Sequence, residues 1–273
     1  MRVAVYNMFF GFEGSTLLQQ IRNHAPIHGW MAVFNGPKKH SENEIRKVRS
    51  LSRHVNETLM LVQETRADVL CLHEVLRSIY GDQLIAGLKE RGYRSFHWGK
   101  SAHHEHPLDI YTLLATKYLS DSLEVSIHSS DYPGGGGGAC GAYIKEKNIS
   151  VLALHAAIKK PSVFKQYPDV QSLQWKQLRA IVESQKAKGR KCIVVGDMNA
   201  TYNKLMKNTD FSSLGLHSMA LPTYPSWPLV QKLVFKDFDH IFYSQKEFFS
   251  ESKNTRKGRS DHLLLSCDLK PLC

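Results

Sequence analysis

The sequence predicts a layered α/β protein, and three observations point there. Short apolar runs with strand character recur from residue 2 to residue 268, and stretches of helical periodicity lie between some of them. Strands interspersed with a few helices bury their apolar faces by laying helices over one sheet or a pair of sheets. No linker-like segment divides the 273 residues, so a single domain over 1–273 is expected.

The strand-like runs are Arg2–Phe9, Asp68–Leu72, Tyr93–Trp98, Ile110–Ala115, Ala139–Ile144, Ser150–His155, Lys191–Val195, Phe238–Tyr243 and His262–Asp268. Ser41–Arg66 carries Ile45, Val48, Leu51, Val55, Leu59 and Val62 three or four residues apart, behind a capping box at Ser41–Glu44. Asp82–Gly92 and Gln171–Gly189 read as two further surface helices, each stopped by a glycine. Asp131–Gly138 (DYPGGGGG) cannot be a strand interior and lacks the Lys-Ser/Thr of a phosphate-binding loop, so it reads as a mobile loop.

Hydrophobic and charged contents of 42% and 22% exclude wholesale disorder. A formal net charge of +11 suits an anionic partner such as nucleic acid, phospholipid head groups or a phosphorylated metabolite. Five cysteines without Cys-x-x-Cys spacing argue against a disulfide framework and against a zinc knuckle. Cys71 and Cys192 lie within apolar runs and read as small buried hydrophobes, which fits a reducing, intracellular compartment, cytoplasmic or nuclear. No window approaches 18 apolar residues, and the N-terminus reads as a strand rather than a signal peptide.

Polar residues close the apolar runs again and again. The first run ends on Asn7, DVLCLHE on Glu74 and SVLALH on His155; IVVGDMN supplies Asp197 and Asn199, FKDFDHIFY carries Asp239 and His240, and RSDHLLL opens on Ser260, Asp261 and His262. Asp197 and Asn199 are two apart, so an extended backbone through Gly196 would aim both out of the top of the sheet as a two-pronged polar site. Asn7, Glu74, Asp197, Asn199 and Asp261 offer only oxygen ligands, the preference of Mg²⁺, or alternatively Mn²⁺, over Zn²⁺. His155 and His262 can move a proton or carry charge near neutral pH, and a buried Asp239 bonded to His262 would fix its tautomer. Together these are the components of metal-assisted phosphoester hydrolysis.

The order of motifs resembles the endonuclease/exonuclease/phosphatase superfamily, also called DNase I-like. The resemblance rests on YN at 6–7, HE at 73–74, LHA at 154–156, GDMN at 196–199, FDHI at 238–241 and SDH at 260–262, and spans residues 3–268. HE stands where the family usually has QE. The resemblance implies a four-layer α/β sandwich with two central, mostly antiparallel sheets flanked by helices, and a site at one rim. It further implies that Glu74 binds the divalent metal with Asn7 close by and Asp261 assisting. His262 would be the general base, oriented by Asp239. Asp197 and Asn199 would position the water and a phosphate oxygen, with His155 facing the phosphate as electrophile or acid.

Other features bear on the substrate. Residues 11–40 look like an insertion, His103–His106 reads as a solvated loop, and AAIKKP after His155 departs from the abasic-site endonuclease pattern towards the branch using two histidines. Tyr224 and Trp227, in TYPSWP, and Lys159 are candidate substrate contacts. Lys160, Lys232, Lys236, Arg256, Lys257 and Arg259 also flank the motif strands and could track a phosphodiester backbone. The resulting expectation is a monomeric nuclease with DNA ahead of RNA. A phosphatase or phospholipase-like hydrolase of a small or lipid phosphate ester is the alternative. A catalytically dead scaffold fits less well, because the metal glutamate and the SDH histidine are both present.

Overall fold

The computed structural model describes residues 1–8, 50–100, 110–127, 138–157, 169–218, 221, 223, 237–243, 249–252, 256–257, 260 and 262–269. In chain order these include β1 (Arg2–Asn7), α1 (Ser50–Thr65), β2 (Val69–Leu76), α2 (Arg77–Glu90), β3 (Ser95–Lys100), β4 (Ile110–Thr116), β5 (Asp121–Leu123) and β6 (Gly138–Ile144). They continue with β7 (Ile149–His155), α3 (Val170–Ala187), β8 (Lys191–Asp197), α4 (Tyr202–Thr209), β9 (Asp239–Tyr243), β10 (Phe249–Ser252), β11 (Arg256–Lys257) and β12 (Leu263–Leu269).

Strand alternation decides the layering. In β1, Val3 and Val5 face a core shared with Val151, Ala153, Ile193, Val195 and Ile241 of the other sheet. Ala4 and Tyr6 face the opposite way, onto Val55 and Leu59 of α1 and Leu84 and Leu88 of α2. The same alternation in β7 and β8 sends Leu152, Leu154, Cys192 and Val194 onto Trp175, Leu178 and Val182 of α3 and Leu205 of α4. Three buried interfaces therefore separate four layers, helix–sheet–sheet–helix, the sandwich expected from the motif order. Strands covered on both faces must be apolar at nearly every position, which is why β1, β2, β7 and β8 read as continuous apolar runs.

The first sheet runs β10-β12-β1-β2-β4-β3 with β11 also on β12; the second runs β5-β6-β7-β8-β9. The β1–β2 and β7–β8 pairs are parallel and the remaining pairs antiparallel. In consequence the C-terminal ends of β1, β2, β7 and β8 and the N-terminal ends of β9 and β12 share one rim. Gly99 of β3 lets the two sheets close up beside this rim: a Cβ there would lie 2.2 Å from the carbonyl oxygen of Ala139.

The nine expected strands correspond to β1–β4, β6–β9 and β12. The short strands β5, β10 and β11 carry two to four residues each, too few to show a period. α2 begins at Arg77, ahead of the expected Asp82, because β2 runs on past Glu74 into the helix. The two-turn helix α4 was not anticipated. α3 begins behind Asp169, whose carboxylate accepts the Ser172 N–H as an N-cap. The capping box at 41–44, the insertion at 11–40, the histidine cluster at 103–106 and the glycine run up to residue 137 lie outside the described residues. Cys71, Cys140, Cys192 and Cys267 are free and buried, and among the described residues no helix is long and apolar enough to cross a membrane.

His54 of α1 is fully buried, and burial pushes its imidazole down from 6.5 to about 4, only partly offset by the Met8 backbone. The unfolded chain takes up this proton below about pH 6.5, whereas the folded protein resists it until about pH 4, so stability falls as the pH drops through that window. Urea denaturation at pH 6.5 and pH 5 is expected to show the wild type losing about 1.5 kcal/mol more than His54→Leu, the slope approaching roughly 1.4 kcal/mol per pH unit as the unfolded ring becomes fully charged. Equal losses would show that the buried ring is already charged.

Candidate active site

The apolar stripe between the sheets turns polar at the shared rim. Asn7 follows Val3 and Val5 on the inter-sheet face of β1, and His73 follows Val69 and Cys71 on β2. His155 follows Val151 and Ala153 on β7, and Asp197 follows Ile193 and Val195 on β8. Asp239 precedes Ile241 and Tyr243 on the antiparallel β9. Period-two alternation thus delivers five polar side chains, all buried, to one place from five strands. Glu74 is out of phase with this series and arrives by another route. The β2–β4 register shifts between Leu72 and Val75, and Glu74 itself sits at φ 56, so a bulge turns its side chain into the cluster. Its side chain stays 14% exposed and marks the mouth of the site.

Asp197 is the centre. Its Oδ2 accepts from Asn7 Nδ2 at 3.1 Å, and the same amide nitrogen donates to Glu74 Oε1 at 3.2 Å, so one carboxamide draws two carboxylates together. Asn7 thereby turns its nitrogen, not a ligand oxygen, towards Glu74. The Asp197 Oδ1 accepts the Asn199 N–H at 2.8 Å. Two imidazoles flank Oδ2, His262 Nε2 at 3.7 Å and His155 Nε2 at 3.9 Å; the latter also stands 3.6 Å from Glu74 Oε1. Burial works against ionisation of Asp197. His262, His155, His73 and the Asn199 N–H outweigh it and hold the carboxyl below its ordinary value. Burial lowers His155 despite the facing carboxylates, so this ring is neutral at pH 7.

His262 Nδ1 donates to Asp239 Oδ2 at 2.7 Å. That bond fixes the tautomer and leaves Nε2 facing Asp197. The loop ahead of β12 is pinned to make this possible: Ser260 N–H donates to the Tyr6 hydroxyl, and His262 N–H donates to Ser260 Oγ. Thr223, first residue of the TYPSWP segment, accepts from Asp239 N–H on its hydroxyl and from Leu263 N–H on its carbonyl, joining β9 to β12 at the pair.

Asn199 departs from the two-pronged expectation. The strand ends at Asp197, and Asn199 sits at φ 48 in a turn, where its Nδ2 donates to Ala156 O at 2.8 Å. An amide nitrogen has two hydrogens, so one remains for another acceptor. Asp197 and His155 come side by side because a Cβ at Gly196 would lie 1.9 Å from Leu154 O; glycine alone lets β8 pass there. Gln171 and Gln174 of α3 support this turn, with Gln171 Nε2 donating to Ala157 O and Asn199 O and Gln174 Oε1 accepting the Ala157 N–H. Sequence reasoning passed over both glutamines; the available signal was a pair of amides on the sheet-facing stripe of an amphipathic helix. His240 Nε2, by contrast, donates to the Ala200 carbonyl at 2.8 Å and sits away from the cluster. Asp261, Lys159, Tyr224 and Trp227 lie outside the described residues.

Asp197, Asp239 and His262 bring ligand atoms within 4.8 Å of one another, and Glu74 adds a further carboxylate through Asn7. Among the described residues no Lys or Arg pairs with Asp197 or Asp239, and Asp239 Oδ1 is buried without a hydrogen bond. Buried negative charge in excess, presented on oxygens, is what a hard divalent cation offsets.

Two face-to-face sheets between helix layers, with such a rim, define a phosphoester hydrolase of the DNase I-like fold. The chain belongs to the Endonuclease/Exonuclease/phosphatase family, whose model matches residues 6–262. No curated protein sequence matches it. Among solved structures, the human Nocturnin catalytic domain with bound sulfate is similar at TM-score 0.59 and 18% identity, covering 99% of this chain and 94% of that one. ANGEL2, a 2′,3′-cyclic phosphatase, is similar at TM-score 0.62 and 13% identity over 97% and 93%. D. rerio TDP2 complexed with single-strand DNA product is similar at TM-score 0.58 and 14% identity over 99% of each chain.

Asn7→Ala removes the donor shared by Glu74 and Asp197. A buried acceptor deprived of its partner costs about 1–3 kcal/mol, so urea denaturation in EDTA should show a loss of that size. A loss under about 0.5 kcal/mol, the scatter of surface substitutions, would show that the amide does not hold the two carboxylates.

Proposed function

We propose that the chain is a divalent-metal-dependent phosphodiesterase that hydrolyses nucleic acid, with DNA as the favoured substrate. The observation that carries this reading is the Asp239–His262 pair at 2.7 Å, aimed across Asp197 at the neutral His155. One imidazole is backed by a carboxylate and the other is not, so the two face a phosphate with different tasks. His262 Nε2 takes the proton of the attacking water as its oxygen bonds to phosphorus and the P–O bond to the leaving oxygen breaks; Asp239 steadies the imidazolium that forms, whose proton then passes to solvent or to the departing alkoxide. His155, kept neutral by burial, donates its N–H to a phosphate oxygen as an electrophile rather than serving as a charged acid. Asp197 orients the water, and the second amide hydrogen of Asn199 is available to a phosphate oxygen.

Glu74, at the exposed mouth, is the residue assigned to hold Mg²⁺ or Mn²⁺, with Asp197 beside it and Asp261 as an assisting ligand. When bound there, the cation offsets charge on the phosphate and on the leaving oxygen. Asp239 and Nδ1 of His262 are committed to each other and are assigned to the base, not to the metal. The net charge of +11 supports a polyanionic substrate. Arg77 lies 4.9 Å over the Trp98 ring and 5.4 Å over Tyr111, whose neighbour across the ladder is Val75, next to Glu74; such a cation–aromatic surface suits nucleotides. The same fold serves a protein complexed with DNA product and a cyclic phosphatase, so Lys159, Tyr224 and Trp227 are assigned to substrate choice.

Supercoiled plasmid incubated with Mg²⁺ is expected to be nicked by the wild type, but not in EDTA. His262→Ala and Glu74→Gln should each lose roughly 10²–10⁴ in rate, and Glu74→Gln should also require more Mg²⁺. Asp239→Asn should fall into the same range with KM little changed. Plasmid left intact under every condition, with RNA or a small phosphate ester cleaved instead, would move the substrate and leave the base assignment standing. A His262→Ala enzyme with wild-type turnover would end the mechanism.

A further inference from the structure

His73 precedes Glu74 and has no part in the chemistry above, yet it is fully buried between the sheets and bonded at both ring nitrogens. Its Nε2 accepts the backbone N–H of Asp197 at 3.1 Å, so that nitrogen carries a lone pair. The proton therefore sits on Nδ1, which stands 3.0 Å from Thr112 Oγ1. The Thr112 hydroxyl in turn donates to Gly138 O at 3.0 Å. A directed chain runs from Asp197 in β8, through His73 in β2 and Thr112 in β4, to Gly138 in β6. It crosses from the second sheet to the first and back again. Every link fixes the direction of the next, so the ring acts as a neutral group with one donor and one acceptor. Burial keeps it neutral, and Cys71 Sγ packs 3.3 Å from Nε2.

The position of this chain gives it a consequence. Glu74 hangs from the first sheet and Asp197 from the second, so the distance between the two carboxylates depends on how far apart the sheets stand at this rim. The ladders within each sheet do not set that distance. Two groups span this gap: the Asn7 amide, bonded to both carboxylates, and His73, whose backbone leads directly into Glu74 and whose ring holds the peptide N–H of Asp197. We propose that His73 is a positioning residue: a neutral imidazole clip that sets the spacing between the Glu74 and Asp197 carboxylates and so the affinity of the site for a divalent cation. The proposal rests on the assignment of Glu74 and Asp197 above, but not on the substrate.

A glutamine offers the same pair of groups, an amide oxygen to accept from Asp197 N–H and an amide N–H to donate to Thr112, whereas leucine offers neither. Three proteins, wild type, His73→Leu and His73→Gln, are compared by amide hydrogen exchange at Asp197 and by calorimetric titration with Mn²⁺ alone. His73→Leu is expected to exchange the Asp197 amide at least about tenfold faster while amides in the middle of β7 and β8 keep their protection. Its Mn²⁺ dissociation constant should rise about 10–100-fold, the usual effect of losing a partner behind a ligand. His73→Gln should return both quantities to within about threefold of the wild type, rescue that simple filling of space would not give. Should His73→Leu fail to fold, Thr112→Val against Thr112→Ser tests the clip from its other end, with the serine alone retaining the acceptor. Unchanged Asp197 exchange and Mn²⁺ affinity in a folded His73→Leu or Thr112→Val protein would overturn the proposal, as would a folded His73→Gln as defective as His73→Leu. Neither readout uses turnover, so a wild type that cleaves no nucleic acid would refute the function while leaving the clip to be judged on its own.

Discussion

Burying one carboxylate, Asp197, imposes the terms on which the rest of the rim is built. An ionised group removed from water is stabilised only if charge or hydrogen bonds replace what water supplied. Asp197 receives an amide from β1, a peptide N–H from its own turn, and the fields of imidazoles from β2, β7 and the segment entering β12. None of these donors is near it in the chain apart from Asn199. The two sheets must therefore stack in one register, since a slip of one residue would send Asn7, His73, His155 and Asp197 to the helix-facing sides of their strands. Core and site are held by the same constraint.

That constraint explains why Asn7, His73, His155, Asp197 and Asp239 need no loop scaffold of their own. Each is the next member of an apolar series facing the other sheet, carried by a strand buried on both faces. Rigid elements hold side chains more closely than loops do. Two members differ: His262 lies on the segment pinned ahead of β12, and Glu74 carries its own device, a bulge with a residue at positive φ, and is also the member that reaches solvent. A bulge there re-aims one side chain without disturbing the ladder that continues through Val75 and Leu76. The arrangement places the buried His262–Asp239 pair deep in the rim and an acidic residue at its mouth.

The division of labour between the imidazoles follows from their surroundings. His262 has a carboxylate on Nδ1, His155 has carboxylates only beyond hydrogen-bond distance, and His73 has a hydroxyl and a peptide N–H. Three chemically identical side chains at one rim thus differ in what each ring nitrogen can give or take, and the roles proposed for them rest on that difference. Burial lowers His155 and His73, and the partner of each nitrogen decides the tautomer.

Local sequence determined the elements and the kind of chemistry. Apolar runs of strand length, alternation within them, and polar residues where they stop were enough to place nine strands, two surface helices and most of a third, and to pick out Asn7, Glu74, His155, Asp197, Asp239 and His262 before any coordinates. Those signals survive in one dimension because alternation and capping act between residues a few positions apart. The tertiary structure alone decided which residues meet. Asp197 bonds His73 across 124 positions of chain, and Asn7 bonds Asp197 across 190. It also turned Asn199 aside to Ala156, made Asn7 a donor between two carboxylates, and gave Gln171 and Gln174 their task beneath the turn. Contacts between stacked sheets depend on register and spacing, which are properties of the packed layers and leave no period in the chain that forms them.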